Sequence, residues 1–146
     1  DIIFVLIGKV YDETFKKQEL EKYENIKYVG EVPYKVLPAY AGYFDICTIP
    51  FIVNDLTNAT SPLKLFEYMA MEKPIITTGM QECKKYRSVL IAEGYEDYIS
   101  KIDIALKLIK DKDAEYYSLL KKEALENTWS AKAQSIVDML KVYERQ

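Results

Sequence analysis

The stretch from Asn58 to Thr78, NATSPLKLFEYMAMEKPIITT, holds the side chains of this sequence best placed to handle an anion. It reads as loop, helix, turn and buried strand. Ser61 is a good helix N-cap, and Pro62 suits the first helical position, where an N–H would have no intrahelical partner. Because Pro62 donates nothing, the amides of Leu63 and Lys64 are left pointing out of the helix start, beside the hydroxyls of Thr60 and Ser61. Such a place suits a phosphate. A first turn normally carries Asp or Glu, and a capping box would put Glu or Gln three residues after Ser61; this chain has Lys64 there. A cation at that point opposes the helix dipole by about 0.3–1 kcal/mol, and a bound phosphate would offset it. Glu67 follows one turn later on the Lys64 face, while Leu63, Phe66 and Ala70 mark a face that can pack on a sheet. The plainer reading of Lys64 and Glu67 is an i,i+3 ion pair on a solvated surface, in the less favourable order.

The elements that must position these groups alternate along the chain. Ile2 to Ile7 is a continuous apolar run ending at Gly8, as in a strand buried on both faces of a parallel sheet. A polar helix is expected from Asp12 to about Tyr23, and a short strand from Ile26 to Val29, stopped by Gly30. Pro33 opens a helix to about Tyr43 that Pro38 should bend or interrupt. Asp45 to Ile49 is the third strand, and the Pro50 to Ser61 loop has the length of a binding loop. The central helix, Pro62 to Met71, leads to the strand Ile75 to Thr78, a short helix at Gln81 to Tyr86 and a fifth strand, Val89 to Ala92. Three helices close the chain: Tyr95 to Lys110, Asp113 to Glu126, and Ser130 to Glu144 with Ser130 as N-cap. Tyr and Leu stripes on the last of these read as core.

This alternation predicts an α/β fold, a Rossmann-like doubly wound parallel sheet of about five strands with helices on both faces. The order 2-1-3-4-5 would suit it, with right-handed connections. Ligands then bind beyond the carboxyl ends of the strands, where Gly8, the Pro50 to Ser61 loop, Gly79 and the start of the central helix lie.

At 146 residues the chain suits a single domain that buries about 70% of its unfolded surface. With 49% hydrophobic and 29% charged residues it is globular, and its apolar runs are too short to span a bilayer. It opens on an acidic residue and a strand, which argues against a signal peptide and suggests a fragment of a longer parent. A net charge of −3 argues against nucleic acid as partner, and no basic stripe accompanies the tyrosines. The absence of histidine excludes His-based triads and His metal sites. Cys47 and Cys83 lack metal-ligand spacing, so no metal or other cofactor is expected and both read as free thiols of a cytoplasmic domain.

The run from Glu67 to Ile76, EYMAMEKPII, resembles the E-x-M-A-x-G-x-P-V-I signature of the nucleotide-sugar-binding C-terminal domain in retaining GT-B glycosyltransferases of group 1 type. Phe4 to Gly8, Ile26 to Val32, Ala39 to Pro50 and a closing Trp129 helix occur in the order of that family. The resemblance implies that Glu67 accepts hydrogen bonds from ribose hydroxyls, and that Thr60, Ser61, Pro62, Leu63 and Lys64 cradle the diphosphate. It places Tyr28, Val29 and Gly30 at the base. The family's diphosphate-binding Arg and Lys precede the residues present here, leaving Lys9 as a substitute beside Gly8, where a ligand can approach the backbone closely; as a plain reading, Lys9 is a surface lysine and Tyr28 to Gly30 are buried strand. Ala59 stands where many members carry a first Glu that grips the donor sugar, so either Asn58, Thr60 or Asp55 serves instead or the sugar contact is weak; as a plain reading, Asn58 and Asp55 are ordinary loop polarity. Glu72 replaces the Gly at the helix end and must either adopt a left-handed conformation or end the helix differently.

The chain is thus expected to be the donor-binding half of a glycosyltransferase, with the N-terminal acceptor domain and the first strand of this domain lying outside it. The parent would move a sugar, with retention, from a nucleoside-diphosphate sugar to a glycan or lipid-linked acceptor of cell-surface polysaccharide, in the cytoplasm or at the inner face of the membrane through peripheral association of the parent chain. The 146-residue chain alone would be inactive. The alternative is a flavodoxin-like or receiver-type signalling domain. A receiver needs an Asp at the end of its third strand, and this strand ends Cys47-Thr48-Ile49-Pro50. A third reading keeps the fold as a non-catalytic interaction module.

Overall fold

The structure, a computed structural model, describes residues 2–11, 20 and 22–143. The helix expected to begin at Asp12 lies largely outside the described residues. The chain forms two compact units, Asp1–Gly42 and Tyr43–Gln146.

In the first unit, β1 (Phe4–Ile7) pairs in parallel with β2 (Ile26–Gly30), from Phe4 opposite Ile26 to Ile7 opposite Gly30, with a register shift after Leu6. The apolar run at the start predicts a strand buried on both faces, but Phe4 is exposed and the rest of β1 half-buried, while β2 alternates between half-buried and exposed. The Pro33 segment becomes a 3₁₀ turn, Tyr34–Val36, followed by α1 (Leu37–Gly42). The break falls just before Pro38, as expected, because proline is tolerated in a first helical turn and not beyond it.

In the second unit, β3 (Cys47–Ile49), β4 (Ile75–Thr78) and β5 (Val89–Ala92) form a parallel sheet with β4 in the middle. Here the continuous apolar runs do mark burial on both faces. Ile75 points to a cluster with Ile49, Leu65, Met69, Met80, Val89 and Leu120. Ile76, one residue on, points to the opposite cluster with Ala92, Ile102 and Ala105. The first face is covered by α3 (Leu63–Ala70) and α5 (Ala114–Glu126), the second by α4 (Tyr95–Asp111). Tyr98, Ile102 and Ala105 recur at helical spacing on α4, which is why that helix lies flat on the sheet. Within each unit every strand pairing is parallel, β1 with β2 in the first and β3-β4-β5 in the second, as the α/β reading expects.

The last helix, α6 (Trp129–Tyr143), departs from expectation. It has no buried residue, and Ile136, Met139, Leu140 and Val142 are exposed, so its apolar stripe is not core among the described residues. Its N-cap is Thr128, whose hydroxyl accepts from the Ala131 amide at 3.2 Å, rather than Ser130.

Several tyrosines of the second unit are packed as neutral phenols. Burial, with the charges of Cys47 and Glu67 adding, pushes Tyr68 from its ordinary 10.0 up to about 12. Burial also raises Tyr86 and Tyr116. A raised folded-state pKa means that the folded chain holds the proton more tightly. The contribution is therefore complete below the unfolded value near pH 10 and is lost as pH climbs through the folded value. Urea denaturation across this range should show stability falling steeply above about pH 10. A flat profile to pH 12 would show these phenols to be solvated.

Candidate functional site

The chemistry-bearing residues of the second unit converge on the start of α3. Its buried stripe is Leu65 and Met69, four apart, with Phe66 and Tyr68 half-buried beside them. Burying each of the first two stabilises the helix position by about 1.5–3 kcal/mol. The expected stripe of Leu63, Phe66 and Ala70 is wrong in two members: Leu63 is 59% exposed and Ala70 is also exposed. This rotation leaves Lys64 exposed and Glu67 half-buried on the outer side.

The helix also starts one residue later than Ser61 predicts. Pro62, with φ −71° and ψ 115°, is itself the N-cap, and no side chain caps the end. Being buried and extended, it sets the entry angle of the chain. Its carbonyl accepts from the Leu65 amide at 3.0 Å, so Leu63 and Lys64 carry the outward amides, as expected. The first turn holds no acidic residue. The Lys64 ammonium lies 5.7 Å from the centre of the Phe51 ring, an attraction of about 0.5–1 kcal/mol at an exposed position.

The preceding loop is tied down by its own polar groups. Thr78 donates to the Phe51 carbonyl at 2.6 Å and Thr57 to the Ile52 carbonyl at 2.7 Å. Within the loop, α2 (Asp55–Asn58) is closed by a reciprocal capping box between Asn54 and Thr57. Asn58 accepts from the Gln81 amide at 3.3 Å, and the Thr60 hydroxyl donates to the Thr57 carbonyl at 2.8 Å. Of the substitutes for the missing Glu at Ala59, Asn58 and Thr60 thus have structural duties, while Asp55 is exposed. Ser61, also exposed, keeps its hydroxyl beside the helix start.

At the other end of α3, Glu72 takes the left-handed conformation, φ 53°, and the Lys73 amide reaches back to the Tyr68 carbonyl at 3.1 Å. This closure normally uses glycine. Glu72 gains a 3.8 Å pairing with Lys121, but both side chains are at least half exposed, so it adds little. Replacing Glu72 by Gly should raise stability by about 0.5–1 kcal/mol, measured by urea denaturation. A loss of stability would show that the Lys121 pairing outweighs the backbone strain.

In the first unit, Gly8, Lys9, Tyr28 and Gly30 meet at the carboxyl end of β1 and β2. The Gly8 amide donates to the Gly30 carbonyl at 2.9 Å, and the Tyr28 hydroxyl donates to the Gly8 carbonyl at 2.9 Å. Both glycines have positive φ, 146° and 86°, which side-chain-bearing residues adopt only under strain. Val29 is 42% exposed, and the Lys9 ammonium lies 5.7 Å from the Tyr11 ring centre. Tyr28 to Gly30 are therefore not the buried strand of the plain reading.

Phe51 escaped the sequence reading, although the apolar run Phe51-Ile52-Val53 placed in a loop was a signal that it could have used. Cys47 and Cys83 are buried, and burial pushes the Cys47 thiol up to about 11, so neither is poised as a nucleophile. No helix of the described residues is long and apolar enough to cross a membrane.

A parallel α/β sheet with an uncapped, cation-bearing helix start beyond its carboxyl edge defines a Rossmann-like α/β fold. Comparison with known families makes this particular: the model of the family described as "Glycosyl transferases group 1" matches residues 1–108, and the chain belongs to that family. It is also 32% identical, over 79 residues, to a Bacillus subtilis (strain 168) protein named "Putative teichuronic acid biosynthesis glycosyltransferase TuaH". That match covers 54% of this chain and 20% of the relative, so the chain spans a small part of the relative's length.

Proposed function

We propose that this chain is the donor-binding half of a glycosyltransferase that transfers a sugar, with retention, from a nucleoside-diphosphate sugar to a glycan or lipid-linked acceptor of cell-surface polysaccharide. The observation that carries the reading is the start of α3, where two outward amides and Lys64 meet with no acidic residue in the first turn. There the leaving diphosphate would be held by the Leu63 and Lys64 amides, the Lys64 ammonium and the Ser61 hydroxyl, with Thr60 and Pro62 completing the cradle. Charge building on the diphosphate as the glycosidic bond breaks would be met by groups already in place, which is what lowers the barrier. Glu67, on the next turn, would accept hydrogen bonds from the ribose hydroxyls.

In the unit Asp1–Gly42, we assign base contacts to Tyr28, Val29 and Gly30 and phosphate contacts to Gly8 and Lys9. The positive φ of Gly8 and Gly30 and the exposure of Val29 support this, since backbone of that kind is open to close approach. The relative's teichuronic acid name supports the cell-surface acceptor.

The test is calorimetric titration of the intact protein with nucleoside diphosphates, beside the same titration of Glu67→Ala. Equal affinity in the two would remove the ribose role.

A further inference from the structure

The loop ahead of α3 owes little of its shape to apolar burial. Of residues 51–60 only Thr57 and Asn58 are half-buried and the others are exposed, and α2 contributes no buried residue. Its shape therefore rests on hydrogen bonds, and Thr57 is where they meet. The Thr57 hydroxyl accepts from the Asn54 amide at 2.9 Å and donates to the Ile52 carbonyl at 2.7 Å. The Thr57 amide donates to Asn54 Oδ1 at 2.9 Å, and the Thr57 carbonyl accepts from the Thr60 hydroxyl at 2.8 Å. One residue thus joins the two ends of the loop. Upstream is Phe51, whose carbonyl accepts from Thr78 at the end of β4 and whose ring centre lies 5.7 Å from the Lys64 ammonium. Downstream, Thr60, Ser61 and Pro62 lead into α3. Asn58, next in sequence, accepts from the Gln81 amide at 3.3 Å and so fastens α2 to the segment after β4.

We propose that Thr57 is a positioning residue for the anion-binding start of α3, holding the loop in the shape that sets the Phe51 ring beneath Lys64 and Thr60 beside the outward amides. The anion itself rests on the glycosyltransferase reading; the hold on Phe51 and Lys64 does not. An anion at this helix start needs two amides, an ammonium and a hydroxyl at fixed separations. A loop free to sample several shapes has to be ordered at the moment of binding, and the apparent affinity falls with the fraction of molecules already in the competent shape. The residue that prevents this must accept from one backbone group and donate to another in a single geometry. A hydroxyl does both, and the β-branch of threonine restricts χ1 and keeps it aimed. Thr57 itself need not touch the ligand. A role confined to closing the four residues of α2 would leave Phe51 and Lys64 indifferent to it.

The experiment compares the intact protein with Thr57→Val, which keeps the side-chain shape and loses the hydroxyl, and with Thr57→Ser, which keeps the hydroxyl. Inorganic pyrophosphate, uridine diphosphate and guanosine diphosphate are titrated calorimetrically into each. Thr57→Val should bind about tenfold more weakly, as for a competent fraction reduced to about a tenth. Thr57→Ser should restore most of the affinity. The melting temperature should move by no more than a few degrees in either, since α2 buries no residue. Asn54→Ala, which removes the other half of the capping box, should weaken binding in the same direction. A second arm needs no ligand: the NMR resonances of the Phe51 ring and the Lys64 amide should shift and broaden in Thr57→Val and return to their original positions in Thr57→Ser. Resonances of Phe51 and Lys64 that stay in place in Thr57→Val, or an affinity that Thr57→Val leaves unchanged, would overturn the proposal. If the unsubstituted protein binds none of the three anions, the diphosphate reading falls, and the ligand-free arm still decides whether Thr57 holds Phe51 and Lys64.

Discussion

Glu123→Ala should be the most damaging single truncation in the second unit, lowering stability by about 3–5 kcal/mol. Glu123, on the inner side of α5, is 9% exposed. Its two carboxylate oxygens accept from the Arg87 amide at 2.9 Å, the Ser88 amide at 3.1 Å and the Ser88 hydroxyl. These donors sit in the bend that feeds β5, and Ser88 is fully buried. Without the carboxylate, water cannot easily reach them, and each unmet donor costs about 1–3 kcal/mol. The bend is also tied to this helix by the Tyr116 hydroxyl, which donates to the Ser88 carbonyl at 3.0 Å, and by the neighbouring Tyr86 hydroxyl, which donates to Asn127 at 3.1 Å. Glu123→Gln should recover part of the loss, because its amide oxygen still accepts while its NH₂ must face a donor. Urea denaturation of the three proteins checks the order. If Glu123→Ala costs under about 1 kcal/mol, the carboxylate is a replaceable surface group and α5 is held by apolar contacts alone.

The sequence made legible those features that rest on local chemistry. β4 and β5 fall where the apolar runs place them, because Pro74, Gly79 and Ser88 bound runs too short and too apolar to be anything but buried strand. α4 follows its helical period from Tyr95 onward. The small helix α2 was also readable, from the Asn54 and Thr57 spacing, but a loop expectation hid it. Caps were misplaced by one or two residues. Ser61 precedes a proline, which pushes it to an extended backbone, and Pro62 keeps an extended ψ, so helical dihedrals begin only at Leu63. Thr128 and Ser130 have equivalent hydroxyls, and only the observed bond to Ala131 separates them.

What the sequence could not supply depends on partners distant in the chain. The stripe on α6 has the period of a core helix and lies exposed, since periodicity shows that a face is apolar without showing what covers it. The same limit applies to β1, whose composition matches a strand buried on two faces while the structure leaves Phe4 exposed. At the site, the charge placement of Lys64 and Glu67 was visible in sequence. The Phe51 ring beneath Lys64 was not, because a cation–aromatic contact across thirteen positions leaves no periodic trace.

Glu67→Ala should weaken nucleoside-diphosphate binding by about a hundredfold, the second largest effect expected. A carboxylate accepting from two ribose hydroxyls forms two charge-assisted bonds of about 1.5–3 kcal/mol each. Glu67 is half-buried on α3, so its bonds are screened less than those of a solvated side chain. The helix is held from its other side by Leu65 and Met69, so the truncation should leave the fold intact. Glu67→Gln separates charge from shape: its amide oxygen can still accept from one hydroxyl, and the expected loss is about tenfold. Lys64→Ala acts differently, since an exposed ammonium facing a diphosphate gives an attraction that salt screens. Its loss should be largest at low ionic strength and shrink as salt is added, whereas the loss from Glu67→Ala should hardly depend on salt. Parallel salt dependence in the two variants would mean that Glu67 acts through the local electric field, by orienting Lys64, rather than by touching the ribose.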